Sequence, residues 1–266
     1  TVNMYVTVPY PIGATASDDE SGLQSIQWTK VSGAGDPGFA DAGSASTTID
    51  IEQKDEGEYV LELTAVDRAG NTSASEKEVL WDRTPPPAPS MGSMTSPTKY
   101  ARPNWTWGPG AGSDGERVYR YRWNGGSWLN GENGSDATSY IPGSDLTPGG
   151  YTLAVSERDL AGNWSDEAKR YVYVDYPVWP QDGQAITDLT PKLNWYDYFG
   201  FNVTYDVYGR EYGDTTWTQY GYGLSESELQ VPGNMALPRN VTFDWKYTVP
   251  GGKVPYESPV FRFSTY

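Results

Sequence analysis

The sequence predicts an all-β protein: three tandem β-sandwiches in an elongated arrangement. Three observations carry that reading. A phrase recurs, "GEYVLELTAVDRAGNTS" at 57–73 and "GGYTLAVSERDLAGNWS" at 149–165, with Asp67 and Asp159 standing 92 residues apart. Apolar residues alternate with polar ones along short stretches, the period of a half-buried strand. Proline-rich stretches punctuate the chain near each third, at "WDRTPPPAPS" and "VDYPVWP". A spacing near 92 suits tandem domains better than a short-repeat solenoid.

The repeated phrase is a hairpin. "YVLELTAVD" places Tyr59, Leu61, Leu63 and Ala65 on one side, and "YTLAVSERD" does the same with Tyr151, Leu153 and Val155. "RAGN" and "LAGN" follow, where Gly supplies a positive φ and Asn tolerates one. "SASEKEVLW" and "DEAKRYVYV" then return as second strands. Turns are expected at 68–71 and 160–163, with Asp67 and Asp159 as turn-stabilising side chains. A second repeated Asp, Asp82 and later Asp175, lies 93 residues on. The expected modules are 1–85, 86–175 and 176–266.

Earlier strands fill out each module. "LQSIQWTKV" puts Leu23, Ile26 and Trp28 on one; "PNWTWG" and "VYRYRWNGGSW", turning at "NGG", serve the second module. A sandwich buries Trp on its central strands, so Trp28, Trp107, Trp195 and Trp245 are expected inside. No stretch shows helical periodicity. Proline-rich connections favour extended, semi-rigid spacing, hence an elongated chain.

Composition excludes several classes. There is no Cys and no His in the 266 residues, which removes disulfides, cysteine chemistry, a serine triad and the commonest transition-metal ligand. The net charge of −16 argues against nucleic acid. The first module carries −10 of it, the second −2 and the third −4. No apolar run is long enough to span a membrane. The chain begins at Thr1 and is expected to be a mature product or a piece of something longer. Acids are plentiful enough to leave carboxylate-pair chemistry open. Three small sandwiches leave little room for a cleft, and the chain is expected not to be an enzyme.

At these residues a family resemblance appears. "DDESGLQSIQW", "GEYVLELTAVDRAGN" and "WDRTPP" resemble bacterial Ig-like and PKD-like modules. "RPNWTW", "YRYRWNGGSW" and "GGYTLAVSERDLAGNWSD" resemble a related bacterial Ig-like module. "LTPKLNWYDY", "VTYDVYG", "VTFDWKYTV" and "SPVFRFSTY" look like a fibronectin type III domain. The resemblance implies a non-catalytic structural or adhesive segment of a large bacterial cell-surface or secreted protein. Two other roles stand beside it: a carbohydrate-binding or spacer region of a polysaccharide-degrading enzyme, and a self-assembling surface-layer or filament subunit.

Two sets of side chains are candidates for binding. Trp123, Trp128, Trp164, Trp217, Tyr220 and Tyr222 sit near turns and strand ends, where flat rings stack on sugars; the alternative is ordinary packing. Asp18, Asp19, Glu20, Asp55 and Asp67 offer the hard oxygens that calcium takes; the alternative is solvated turn acids. Neither an EF-hand loop nor the cadherin "D-x-N-D-N" linker is present. Expected partners are an extracellular or cell-surface polymer such as a polysaccharide, or a second copy of the chain. No cofactor is expected other than candidate calcium.

Overall fold

Alternating stretches become strands and Gly/Pro/Ser stretches become turns throughout the computed structural model. It describes residues 4–6, 10–51, 55–113, 117–197, 199, 203–251 and 255–266. There is no α-helix among them; a short 3-10 turn spans Gly233–Met235.

In the first third, β1 (Met4–Val6), β3 (Leu23–Ser32), β6 (Gly57–Asp67) and β7 (Thr72–Trp81) form one sheet, ordered β1-β7-β6-β3. The facing sheet is β2 (Tyr10–Gly13), β5 (Ser46–Asp50) and β4 (Gly38–Phe39). Between them lie Ile12, Trp28, Ile49, Ile51, Tyr59, Leu61, Leu63, Val79 and Trp81. Tyr59, Leu61 and Leu63 are the inward row of β6 that the alternation predicts.

The second third repeats the plan. β10 (Val118–Trp123), β12 (Gly149–Arg158) and β13 (Ala168–Val174) face β8 (Ser90–Met91), β9 (Trp105–Gly108) and β11 (Ser139–Tyr140). Its core is Trp105, Trp107, Tyr119, Leu153, Val155, Val172 and Val174.

The third has a larger sheet. It runs β14 (Gln184–Ile186), β21 (Phe261–Thr265), β19 (Thr242–Val249), β16 (Tyr205–Glu211) and β17 (Thr218–Leu224), with β20 (Tyr256–Glu257) added on β19. β15 (Lys192–Asn194) pairs β18 (Glu228–Gln230) opposite. Trp195, Trp245, Tyr205, Tyr247, Phe243, Phe261 and Phe263 dominate its core. In the first and last thirds the first strand lies parallel to the last, β1 on β7 and β14 on β21; in the second, Thr98, which follows β8, makes a parallel bridge to Val174 of the last strand.

The repeated hairpin is built the same way twice. The Asp67 N–H donates to the Asn71 carbonyl (3.0 Å) and the Gly70 N–H to the Asp67 carbonyl (3.2 Å); Asp159, Asn163 and Gly162 match at 3.1 and 3.2 Å. Gly70 and Gly162 sit at φ 89° and 95°, which an L side chain adopts only under strain. The Asp carboxylate then closes each turn, accepting the Asn N–H at 2.8 Å in both and the Asn side-chain amide at 2.7 and 3.0 Å.

Trp28, Trp107, Trp195 and Trp245 are all buried, as expected. Trp81 and Trp105 are buried at least as deeply, the first as the last residue of β7 and the second at the head of β9.

Candidate functional site

The outer sheet faces of the second and third modules carry the half-buried Trp128, Trp164 and Trp217. On β10, alternation turns Tyr119 inward and Arg120 and Arg122 outward. The turn at Asn124 (φ 42°) and Gly125 (φ 77°) sends the chain back, and Trp128 bridges to Arg122. The Arg120 guanidinium lies 4.2 Å from the Trp128 ring centroid and 4.3 Å from that of Trp164. Arg122 lies 4.6 Å from Trp128, and Arg158 lies 5.6 Å from Trp164. The result is a ladder: Arg122, Trp128, Arg120, Trp164, Arg158.

That ladder covers the middle of β12. Ala154 and Ser156, which alternation places on the outer face, are 2% and 1% exposed. Glu167 ties the ladder to β13, accepting from Arg122 at 2.5 Å and pairing with Lys169 at 3.3 Å. Burial alone would push the Glu167 carboxyl up; hydrogen bonds from Arg122 and Lys169 outweigh it and hold it below its ordinary value.

The third module builds a related face. Arg210, Asp244 and Arg262 stand in one cross-strand row on β16, β19 and β21. The Asp244 side chain is 2% exposed; it accepts from Arg262 at 2.7 and 3.3 Å and pairs with Arg210 at 3.7 Å. Trp217 is contacted by Arg210 at 4.2 Å and by Lys246 at 4.7 Å, and Arg262 lies 3.9 Å from the Tyr212 ring.

The six aromatic candidates therefore separate. Trp123 belongs to the inward row: its ring meets Trp105 edge-on at 4.9 Å and also packs on Tyr140 and Tyr151. The period-two pattern from Tyr119 through Tyr121 dictates this, so Trp123 offers no flat platform. Trp128, Trp164 and Trp217 are each in contact with two cationic side chains, which compete with a sugar for the same π-surface. Tyr220 packs edge-on against Phe243 at 5.5 Å. Tyr222, 80% exposed on β17, is the open ring of the set.

The acidic candidates do not gather into one cluster: Asp18 and Asp67 both reach the Ser21 side chain, while Asp55 stands apart. Asp18 closes its own turn, accepting from the Ser21 hydroxyl (2.6 Å) and the N–H groups of Ser21 (3.0 Å) and Glu20 (3.3 Å). The Ser21 hydroxyl, chiefly, holds the Asp18 carboxyl below its ordinary value; the Asn71 side chain does the same for Asp67. Asp19 and Glu20 are exposed. Asp55 precedes β6 and Asp67 ends it. Eleven residues of strand separate them by about 36 Å at strand rise, so they serve no common ion. Among the described residues no three acids are grouped as a metal would need.

The least anticipated feature is the seam between the second and third modules. Asp175, just past β13, is fully buried, and its carboxylate accepts the hydroxyls of Tyr247 (2.7 Å) and Tyr256 (2.5 Å) from the third module. Tyr173 and Tyr256 pack with ring centroids 5.5 Å apart, and Tyr176 and Tyr196 at 5.7 Å. Lys99 pairs with Asp182 at 2.9 Å alongside. Between the first and second modules, the Asn163 side chain donates to the Asp82 carbonyl at 3.2 Å. The sequence signals at Asp175 are its repeat of Asp82 and its aromatic setting in "VYVDYPVW".

The fold and site together define an all-β chain of tandem sandwich modules. No family model matches it, and no curated protein matches it. Among solved structures it is similar to fibronectin(III)-like modules of Clostridium thermocellum CbhA, at 15% identity over 65% of this chain and 89% of that one, with a TM-score of 0.40. It is also similar to the chicken CNTN1 FN1–FN3 domains, at 13% identity over 97% and 99% of the two chains and a TM-score of 0.26. Protocadherin Gamma B2 extracellular cadherin domains 3–6 match at 11% identity over 100% and 70%, also with a TM-score of 0.26.

Proposed function

We propose that the chain is a non-catalytic structural and adhesive segment of a bacterial cell-surface or secreted multidomain protein, with its modules bounded near 85 and 175. The observation that carries this reading is where the buried polar groups go. Asp175, Tyr247 and Tyr256 join one module to the next, and Asp244 anchors the Arg210 and Arg262 row on a sheet face. These groups hold architecture together, and their placement supports a spacer better than a reaction centre. The test is the intact chain on a panel of soluble and insoluble polysaccharides, with hydrolysis products assayed by chromatography. No product is expected; reproducible hydrolysis would overturn the reading.

One observation favours a second role, adhesion to a polysaccharide. Tyr222 stands 80% exposed on β17, without the cationic contacts that Trp217 has. An open ring on a strand stacks on a sugar face, and weak contacts multiply along a polymer. A polysaccharide pull-down with Tyr222→Ala beside the parent decides this. Equal retention of both proteins, or none of either, would remove Tyr222 from the binding surface.

A further inference from the structure

The seam between the second and third modules encloses a carboxylate that no cation among the described residues pairs with. Asp175 is anchored by its backbone, whose N–H donates to the Thr98 carbonyl at 2.8 Å. Its side chain is fully buried. One oxygen, Oδ2, accepts both tyrosine hydroxyls, Tyr247 from β19 and Tyr256 from β20. The other, Oδ1, is equally buried and has no hydrogen-bond partner among the described residues. Among the described residues, Tyr205 of β16 is a further titratable group coupled to Asp175, and Tyr173 of β13 borders the same tyrosines. Behind Tyr205 stands a further acid, Asp197, which accepts its hydroxyl at 2.6 Å. The nearby cation at the seam, Lys99, is engaged by Asp182 and the Val260 carbonyl.

We propose that Asp175 is a proton-controlled latch between the second and third modules, docked when the acid is neutral and loosened when it ionises. The neutral acid carries its proton on Oδ1 and accepts the two tyrosine hydroxyls at Oδ2, so it leaves an uncharged O–H, and no charge, to be desolvated. An anion in the same place keeps one oxygen with neither water nor donor, and that is costly. Parting the seam lets water reach Oδ1, so the charged form favours the parted state. Burial accordingly pushes the carboxyl up to about 6, against the opposing effect of the Tyr256 and Tyr247 hydrogen bonds. Because the docked value lies above the ordinary 3.8, docking is fully supported below 3.8 and weakens as pH rises through about 6. A difference of roughly two pH units changes the docking equilibrium by about 100-fold at its limit.

The chain contains no cysteine, so Ser127→Cys and Thr215→Cys give one label site in the second module and one in the third. Distance distributions of the doubly labelled intact chain, by pulsed electron resonance from pH 4 to 8, read the parted population. It is expected to grow by about 100-fold with a midpoint near 6. Asp175→Asn should flatten the profile, and Tyr256→Phe should move the midpoint upward because the anion loses a donor. A parent profile that does not change with pH, or an Asn variant that keeps the dependence, overturns the latch. Should the Asn variant not fold, carbon NMR titration of Asp175 decides in its place: a midpoint at or below 4 overturns the proposal, and one near 6 supports it.

Discussion

Asn71 is held by Asp67 through both its backbone N–H and its side-chain amide, and Asn163 is held by Asp159 in the same two ways. The repeated phrase is thus a turn that carries its own lock. The two copies differ in setting, since Asp159 is 4% exposed and Asp67 is half-buried. Asp159→Ala is expected to destabilise the chain by about 1–2 kcal/mol, because it strips a buried pair of hydrogen bonds. Asp67→Ala should cost less. Urea denaturation of the two variants checks the order, and a larger loss at Asp67 would contradict it.

Acid should reveal the same locks. Hydrogen bonds hold the carboxyls of Asp18 and Asp67 below 3.8 in the folded chain. Their contribution is therefore complete above 3.8 and is lost as pH falls through the lower folded values. Carbon NMR titration of both carboxyls should give midpoints below those of a model peptide; midpoints at or above the peptide value would refute the assignment.

Arg120 occupies the centre of the second module's ladder, between Trp128 and Trp164. Removing it as Arg120→Ala should cost about 1–2 kcal/mol, the sum of two partly shielded cation–π contacts. Arg120→Lys should recover only part of that, because an ammonium lacks the planar face that lies along both rings. Equal stability of the Ala variant and the parent, measured by guanidinium titration, would reduce the ladder to surface ornament.

Trp28 is 2% exposed and Trp245 fully buried. Either replaced by Ala should lose on the order of 3–5 kcal/mol, through lost transfer energy and the cavity left behind. A loss below about 1 kcal/mol in chemical denaturation would show that the neighbouring side chains close the gap.

Calcium tests the acidic candidates. Asp18 and Asp67 are engaged by their own turns, and Asp55 is a strand's length from Asp67. Millimolar Ca²⁺ is expected to leave the melting temperature unchanged. A reproducible rise would mean the ion binds the folded chain preferentially and draws on acids in a way the turn bonds do not suggest.

What the sequence disclosed follows the reach of its local rules. Period-two alternation and a Gly-Asn turn are written within a dozen residues, so β6, β7 and β12 and their hairpins were readable. The four Trp residues assigned to the interior followed from strand position. Trp123 stands beside a turn, a position that suggests exposure, but the alternation puts it in line with Tyr119 and Tyr121 and its ring packs inward. The ladder was hidden for another reason: Arg120 meets a Trp 44 residues further along, at Trp164. Asp175 was noted as a repeat, but its two donors lie 72 and 81 residues away. No local pattern records a partner in the next module.

The parallel pairing of first and last strands has a mechanical meaning. Tension drawn through a chain of modules pulls β1 and β7, or β14 and β21, along opposite directions of one ladder, so its hydrogen bonds are strained together in shear. Three residue pairs join each of those ladders, whereas in the second module, past β8, the parallel contact to the last strand is the single bridge of Thr98 and Val174. Stretched from its ends, the chain is expected to yield first in the middle, a sequence that single-molecule pulling with a module-two marker would read directly. A fibre of such units would then have a built-in fuse, extending at its centre while the outer modules keep their shape.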